Sequence, residues 1–281
     1  MKHGIFLPPF GPFGDPGVLV DLALAAESGG WDGFFLWDHL MHRVDGPYVD
    51  AWIALAAIAA RTDRLRIGPL ITPVPRRRPW KLARESVSLD HLSRGRLVLG
   101  VGIGTDHSRE FSAFGEAADD RSHAELLDEG LEVITRLWTG ESVHHSGPHF
   151  HVDGARFLPR PLQHPRIPIW CGAHWPKRTP LRRAARYDGV VPIGDLPPDA
   201  LKDLLSDVGR HRTSDRPFGR RHRLLERQRR PSPIRSSRRH LVAGGVSPPH
   251  TTEDSAGGRK TRPEGLGNAA GTPRRDYGRN G

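Results

Sequence analysis

The chain has almost no sulfur to cross-link: Cys171 is its single cysteine. An intramolecular disulfide is excluded, so oxidative stapling plays no part in the fold. Long apolar runs are missing too. The longest, residues 51–60, is about ten residues, against roughly twenty needed to span a bilayer. The first nine residues carry a short apolar run broken by Pro8 and Pro9, too short for a signal-peptide core. A soluble, cytoplasmic protein with no membrane partner is expected.

A charge of one sign is also missing from most of the chain. The formal net charge is +10, but residues 219–281 hold 15 of the 42 Lys+Arg and 5 of the 32 Asp+Glu. That leaves 27 basic and 27 acidic residues in the first 218, which are neutral. By charge they form no polyanion-binding domain, and a nucleic-acid partner is expected only through the basic tail.

What is present is alternation. Short apolar segments of strand length recur at 2–8, 32–38, 65–72, 96–101, 167–171 and 189–193. Helical patterns fall at 18–28, 48–62, 79–92, 121–138, 179–187 and 198–211. Glycines or prolines punctuate most boundaries. Residues 143–152 read as a hairpin turning at Ser146-Gly147-Pro148. Continuous apolar strands separated by helices indicate a parallel sheet covered by helices. Six βα units fit an incomplete (β/α)8 TIM-type barrel of the α/β class, with a doubly wound sheet as the alternative. The barrel domain is assigned to residues 1–218. Residues 219–281 form an Arg/Gly/Pro-rich tail, with nine arginines between Arg220 and Arg239 and no strand-like run. That composition fits a disordered segment. It also fits a reading-frame change in GC-rich coding sequence, since the break falls where strand seven should begin.

Parallel barrels place their chemistry at the C-terminal ends of the strands. That rule selects Trp37-Asp38-His39 after strand two, residues 68–73 after strand three, Gly100 to Gly104 after strand four and Cys171 to Trp175 after strand five. A histidine beside a carboxylate can exchange a proton near neutral pH, which makes His39 with Asp38 the catalytic candidate. Gly102, Ile103 and Gly104 allow close backbone approach to a flat or phosphorylated ligand, without the spacing of a dinucleotide fingerprint. Gly172, Ala173 and His174 precede a helix bearing Lys177, Arg178, Arg182 and Arg183, which suits a phosphate. Arg76-Arg77-Arg78 reads as solvated surface or as an anion clamp. His144, His145, His149 and His151 flank the hairpin turn, but no carboxylate or thiolate is well placed beside them and alternation sends some of them to opposite faces, so no metal site is assigned. Cys171 reads as a buried structural thiol.

Several segments together resemble the luciferase-like monooxygenase superfamily: GFFLWDH (33–39), LRIGPLITP (65–73), RPWKLARESVSLDHLSRGRLVLGVGIG (78–104), LLDEGLEVITRLWTG (126–140) and FLPRPLQHPRIPIWCG (157–172). The resemblance implies a (β/α)8 barrel, oxidoreductase activity on a small organic substrate, and either coenzyme F-420 (a deazaflavin) or flavin mononucleotide (FMN). It implies that His39, with Asp38, sits over the cofactor ring. A bulge around Pro69, Leu70 and Ile71, often with a non-proline cis peptide, would back that ring. Gly102 to Gly104 would complete the cradle, and Gly172, Ala173 and His174 would meet the phosphate. The Asp-His pair leans towards F-420, and relatives are commonly homo-oligomers. Strands seven and eight have no counterpart after Phe218. A non-catalytic, truncated or frame-shifted remnant and a basic-tail nucleic-acid binder are the competing expectations.

Overall fold

A computed structural model describes residues 2–43 and 46–212 of the chain. The expected tail, 219–281, and the end of the expected barrel domain, 213–218, lie outside the described residues.

The chain opens with β1 (Gly4–Leu7), then α1 (Pro16–Ser28), β2 (Gly33–Leu36), α2 (Ala51–Arg61) and β3 (Arg66–Pro69). A two-residue β4 (Thr72–Pro73) continues β3 beyond a break, and α3 (Pro79–Leu92) and β5 (Leu99–Gly102) follow. Then come α4 (Asp120–Leu137), the hairpin strands β6 (Ser142–Ser146) and β7 (His151–Arg156), β8 (Ile169–Ala173), α5 (Arg178–Arg186), β9 (Gly189–Pro192) and α6 (Pro198–His211).

Local chemistry sets several helix starts. Asp15, Asp50 and Asp119 cap α1, α2 and α4 by accepting from Gly17 N, Ile53 N and Ser122 N, which satisfies donors that have no intrahelical partner. Pro79 and Pro198 open α3 and α6, where proline's missing N–H costs nothing.

Every strand outside the hairpin runs parallel. β1 pairs β2 and β2 pairs β3. β4 pairs β5, β5 pairs β8 and β8 pairs β9. An Ile67–Leu97 bridge joins the two groups. Spatial order therefore follows chain order throughout. A doubly wound sheet would reverse order at a switch point, so the arrangement is that of a barrel, with the six expected βα units. Among the described residues β1 and β9 each pair on one side only. The hairpin lies where expected, between α4 and β8, and pairs antiparallel.

Two cores follow from this geometry. One lies between strands and helices and includes Leu55, Ile58, Leu82, Leu99, Leu131 and Ile169. The other lines the strands' opposite face: Phe35, Leu70, Val98, Trp170 and Val191. Gly68 belongs to this tight wall, because a Cβ there would sit 1.9 Å from the Val98 carbonyl oxygen.

Strand three differs from expectation. Residues 65–72 do not form one strand. Pairing stops after Pro69 and resumes at Thr72, and the Leu70–Ile71 peptide between them is cis without proline. No helix among the described residues is long and apolar enough to cross a membrane.

Candidate active site

Register brings the strand tips together. Leu36 lies beside Leu7 and Pro69, Pro73 beside Gly102, and Val101 beside Cys171. The residues that follow these positions meet at one rim, above a cleft of about 2170 Å³. Asp38, His39, Leu70, Ile71, Gly102, Ile103, Gly104, Gly172 and His174 all line it. Pro69 is buried, as is Ala173 at 1% exposure, and neither is among the lining residues.

His39 does not pair with its neighbour in sequence. Its Nδ1 lies 2.7 Å from Glu110 Oε2. Glu110, in the loop after β5, is 2% exposed and anchored from several sides. Leu40 N donates to Oε1 at 2.6 Å, and Arg76 Nη1 donates to the same oxygen at 2.5 Å. Burial raises the pKa of Glu110, but the His39 hydrogen bond and the Arg76 charge outweigh it, and the carboxyl titrates below its ordinary value. Glu110 is therefore an anion at neutral pH. A carboxylate can only accept, so Nδ1 of a neutral His39 carries the hydrogen and Nε2 keeps its lone pair.

Asp38 is held apart from this pair. Its Oδ2 accepts from Thr72 Oγ1 at 2.8 Å, Arg77 Nη2 at 3.0 Å and Trp52 Nε1 at 3.1 Å. Arg76 Nη2 donates to the Asp38 carbonyl at 2.7 Å. Arg76 thus ties the backbone under His39 to the carboxylate that orients its ring. Arg76 and Arg77 are neither solvated nor free for an anion, since both guanidiniums turn inward to Asp38, Glu110 and Glu85. Arg78 is exposed.

The glycine loops form the floor. Gly104 has φ +77°, and a Cβ there would lie 2.9 Å from both the Phe111 ring and Pro73. A Cβ on Gly172 would lie 2.2 Å from Ile71 Cδ1. Side chains are therefore excluded where the backbones of β5 and β8 approach the break after β3. Ile71, Phe111 and Pro73 occupy the space a side chain would need, so glycine here permits the loops to pack against one another under the cleft. At the far end of the cleft, Lys177, Arg178 and Thr179 line the start of α5. No side chain caps that helix start, so its first N–H groups suit an anion. Arg183 is not available to such an anion: it makes two 2.8 Å bonds to Asp128 of α4.

The remaining candidates resolve structurally. The hairpin histidines do have carboxylates near them, contrary to the sequence reading. His145 Nε2 lies 2.9 Å from Glu129, His144 Nδ1 3.0 Å from Asp153, and His149 Nε2 3.4 Å from Glu125. Two of those acids come from α4, which is why neighbours in sequence did not show them. Among the described residues no group of three or more such side chains could hold a metal. Cys171 is buried, and burial pushes its thiol up to about 12.

Glu110 is the residue that reading the sequence missed. It sits in SREF (108–111), which carries no motif and lies outside the strand tips. Its only signal is an acid, one of two with Asp106, in the loop after a glycine-bearing strand end.

Comparison with known proteins agrees with this geometry. The sequence model of the luciferase-like monooxygenase family matches residues 1–227. The F420-dependent glucose-6-phosphate dehydrogenase of Nakamurella multipartita is 36% identical over 195 residues, covering 68% of this chain and 56% of that protein. Its counterpart from Microbacterium testaceum is 35% identical over 211 residues, covering 70% and 61%. The chain thus spans less than two thirds of the length of these curated relatives. Among solved structures, the monooxygenase RslO1 from Streptomyces bottropensis superposes with a TM-score of 0.65 at 30% identity, covering 75% of this chain and 65% of that one. An F420-dependent secondary alcohol dehydrogenase superposes at 0.62 and 21% identity, over 74% and 66% of the two chains, a likeness of fold alone.

Proposed function

The chain belongs to the luciferase-like monooxygenase family, and on that premise we propose that it is an oxidoreductase using coenzyme F-420 or FMN on a small organic substrate. The observation that carries the reading is the His39–Glu110 pair at the strand-tip rim, 2.7 Å apart beside the glycine floor. The identified relatives are F420-dependent dehydrogenases, which makes the deazaflavin the first choice. Bound there, either cofactor would supply the electrons of the reaction.

The residues fit such a group. Gly102, Gly104 and Gly172 line the cleft with Leu70, Ile71 and Ile103, a largely apolar surface on which a planar ring would rest. His174, Lys177 and Arg178, at the start of α5, would hold a phosphate. His39 is the acid/base residue: its Nδ1 is held by Glu110, and its Nε2 takes or returns the substrate proton. Glu110 is a positioning residue that selects the tautomer and stabilises the ring when it is charged. Asp38 also acts by positioning, through Arg76, Arg77 and Thr72, rather than by touching the reacting atoms. The barrel domain is taken as residues 1–218 with 219–281 outside it, in a cytoplasmic protein that pairs with copies of itself.

Titration of the purified chain with F-420 and with FMN, followed by absorbance and fluorescence, tests the proposal. Saturable binding of one, weakened in Gly172→Val, is expected. Binding of neither by a sample that melts cooperatively would overturn it. A second reading rests on the single-sided pairing of β1 and β9 among the described residues: a remnant without activity. Open sheet edges are costly, and that reading expects no cooperative melt.

A further inference from the structure

Glu110 is delivered by the loop between β5 and α4, residues 103–119, and that loop has supports of its own. Asp106 Oδ1 accepts from Phe111 N at 2.9 Å and from Ser112 N at 3.0 Å, and Arg109 N donates to Asp106 O at 2.8 Å. Arg109, the residue before Glu110, stands at φ +60°. A non-glycine residue is held in the left-handed region when the structure around it over-determines the backbone. Phe111, the residue after Glu110, is 1% exposed, and its ring packs against Gly104. Both neighbours of Glu110 are thus fixed by contacts that Glu110 does not itself make.

Phe111 is held in turn by a buried group that the proposed chemistry does not use. His123, in the first turn of α4, is 1% exposed. Its ring lies on Phe111, with centroids 4.0 Å apart and planes inclined at 35°. Its Nε2 lies 2.7 Å from Ala117 O. A carbonyl can only accept, so Nε2 carries the hydrogen. One side chain therefore grips the loop twice, beside Glu110 and again just ahead of α4. Its Nδ1 is shut off from solvent and has no hydrogen-bond partner among the described residues. A leucine would fill the space without burying such a nitrogen, so packing alone does not call for histidine here. His123 is not among the residues lining the cleft, and its influence can reach the site only through the loop.

We propose that His123 is a positioning residue: through Phe111 and Ala117 it holds the loop at the setting that brings Glu110 within hydrogen-bond reach of His39, and so governs which nitrogen of His39 faces the cleft. Its part in turnover rests on the oxidoreductase reading; its effect on the His39–Glu110 contact does not. A misplacement of about 1 Å by a group far from the chemistry can slow a reaction about 10²-fold.

The test uses the full chain, first without cofactor. In the 15N-imidazole spectrum the Nδ1–H resonance missing from both His39→Gln and Glu110→Gln belongs to the pair. It is expected to vanish in His123→Leu and to return in His123→Gln, whose amide places a donor where Nε2 stood. In the wild type, hydrogen exchange should protect Phe111 N–H, bonded to Asp106, to within about tenfold of His123 N–H, bonded to Asp119 O. With F-420 bound, His123→Leu is expected to slow hydride transfer about 10²-fold while F-420 affinity stays within about twofold. In the Glu110→Gln background the same substitution should cost no more than about twofold, because its effect runs through Glu110. A resonance unmoved in His123→Leu, one that stays lost in His123→Gln, losses that multiply in the double variant, or a Phe111 amide exchanging more than about tenfold faster than that of His123 would each overturn the proposal. The exchange measurement decides even if the variants fail to fold. Binding of neither F-420 nor FMN, with the resonance behaving as expected, would instead overturn the oxidoreductase reading and leave the positioning role standing.

Discussion

Glu110 Oε2 and His39 Nδ1 lie 2.7 Å apart although 71 residues separate them in sequence. The contact converts a rim histidine into an oriented one. It fixes which ring nitrogen faces the cleft with a lone pair, and it places a buried negative charge where an imidazolium would form. The same carboxylate is held by Arg76, so the pair sits in a network that resists rearrangement.

Glu110→Gln keeps the shape and removes the charge. Hydride transfer in the loaded enzyme is expected to fall by about 10² to 10⁴-fold, the range for a lost general acid–base assistance, while cofactor affinity changes little. Stopped-flow oxidation or reduction of the bound cofactor checks this. A rate within twofold of wild type would remove Glu110 from the mechanism.

Asp38→Asn tests the opposite role. Asp38 is 4% exposed and Arg76 5%, so the substitution leaves guanidiniums facing a neutral group. Breaking such a pair costs about 3–5 kcal/mol. A substantial drop in Tm is expected, with the rate of the loaded enzyme little altered where the protein still folds. An unchanged Tm with a rate that falls as far as in Glu110→Gln would instead return Asp38 to direct acid–base partnership with His39.

Arg96 is a structural counterpart below the site. It is 8% exposed and donates to Ala59 O, Thr62 O, Leu65 O and Ser93 O, joining the ends of α2 and α3. Arg96→Met keeps most of the volume and strands these carbonyls. A loss of about 2–4 kcal/mol is expected from several unsatisfied acceptors, read by urea denaturation. A loss under about 0.5 kcal/mol would mean that the carbonyls find water.

Acid should unfold the protein. Burial pushes the pKa values of Glu110, Asp128 and Glu129 up, but hydrogen bonds and cations pull harder, from His39 and Arg76, from Arg183, and from His145 and Phe150 N. All three titrate below the ordinary carboxylate range. The unfolded chain then binds more protons than the folded one in acid. The stabilisation is complete above about pH 5 and drains away as pH falls through the depressed values, below roughly pH 4. A Tm series followed by circular dichroism checks this. A Tm that is flat down to about pH 2, or that rises on acidification, would contradict it.

Much of the architecture was legible before any coordinates. Period, glycine and proline placed α3 at 79–92 and α6 at 198–211, and most other elements within a residue or three. The rule that barrels work at their strand tips picked out Asp38, His39, Gly102, Gly104, Gly172 and His174, and all six line one cleft. The break in strand three was not visible in the apolar pattern of 65–72, because hydrophobicity reports burial and not pairing. Only the family resemblance pointed to it.

Local order along the chain was enough to specify which segments become strands and helices, and on which end of the strands polar groups gather, because both depend on neighbours a few residues away. The partners of those groups were a different matter. His39 and Asp38 are adjacent, yet successive residues at a strand end face opposite ways, so one met Glu110 and the other met Trp52, Thr72 and Arg77. Arg76 and Arg77 looked like surface until the fold turned them towards buried carboxylates. Charge pairing is set by distance in space, and no spacing along the chain encodes a contact that the barrel makes by bringing the loop after one strand against the tip of another.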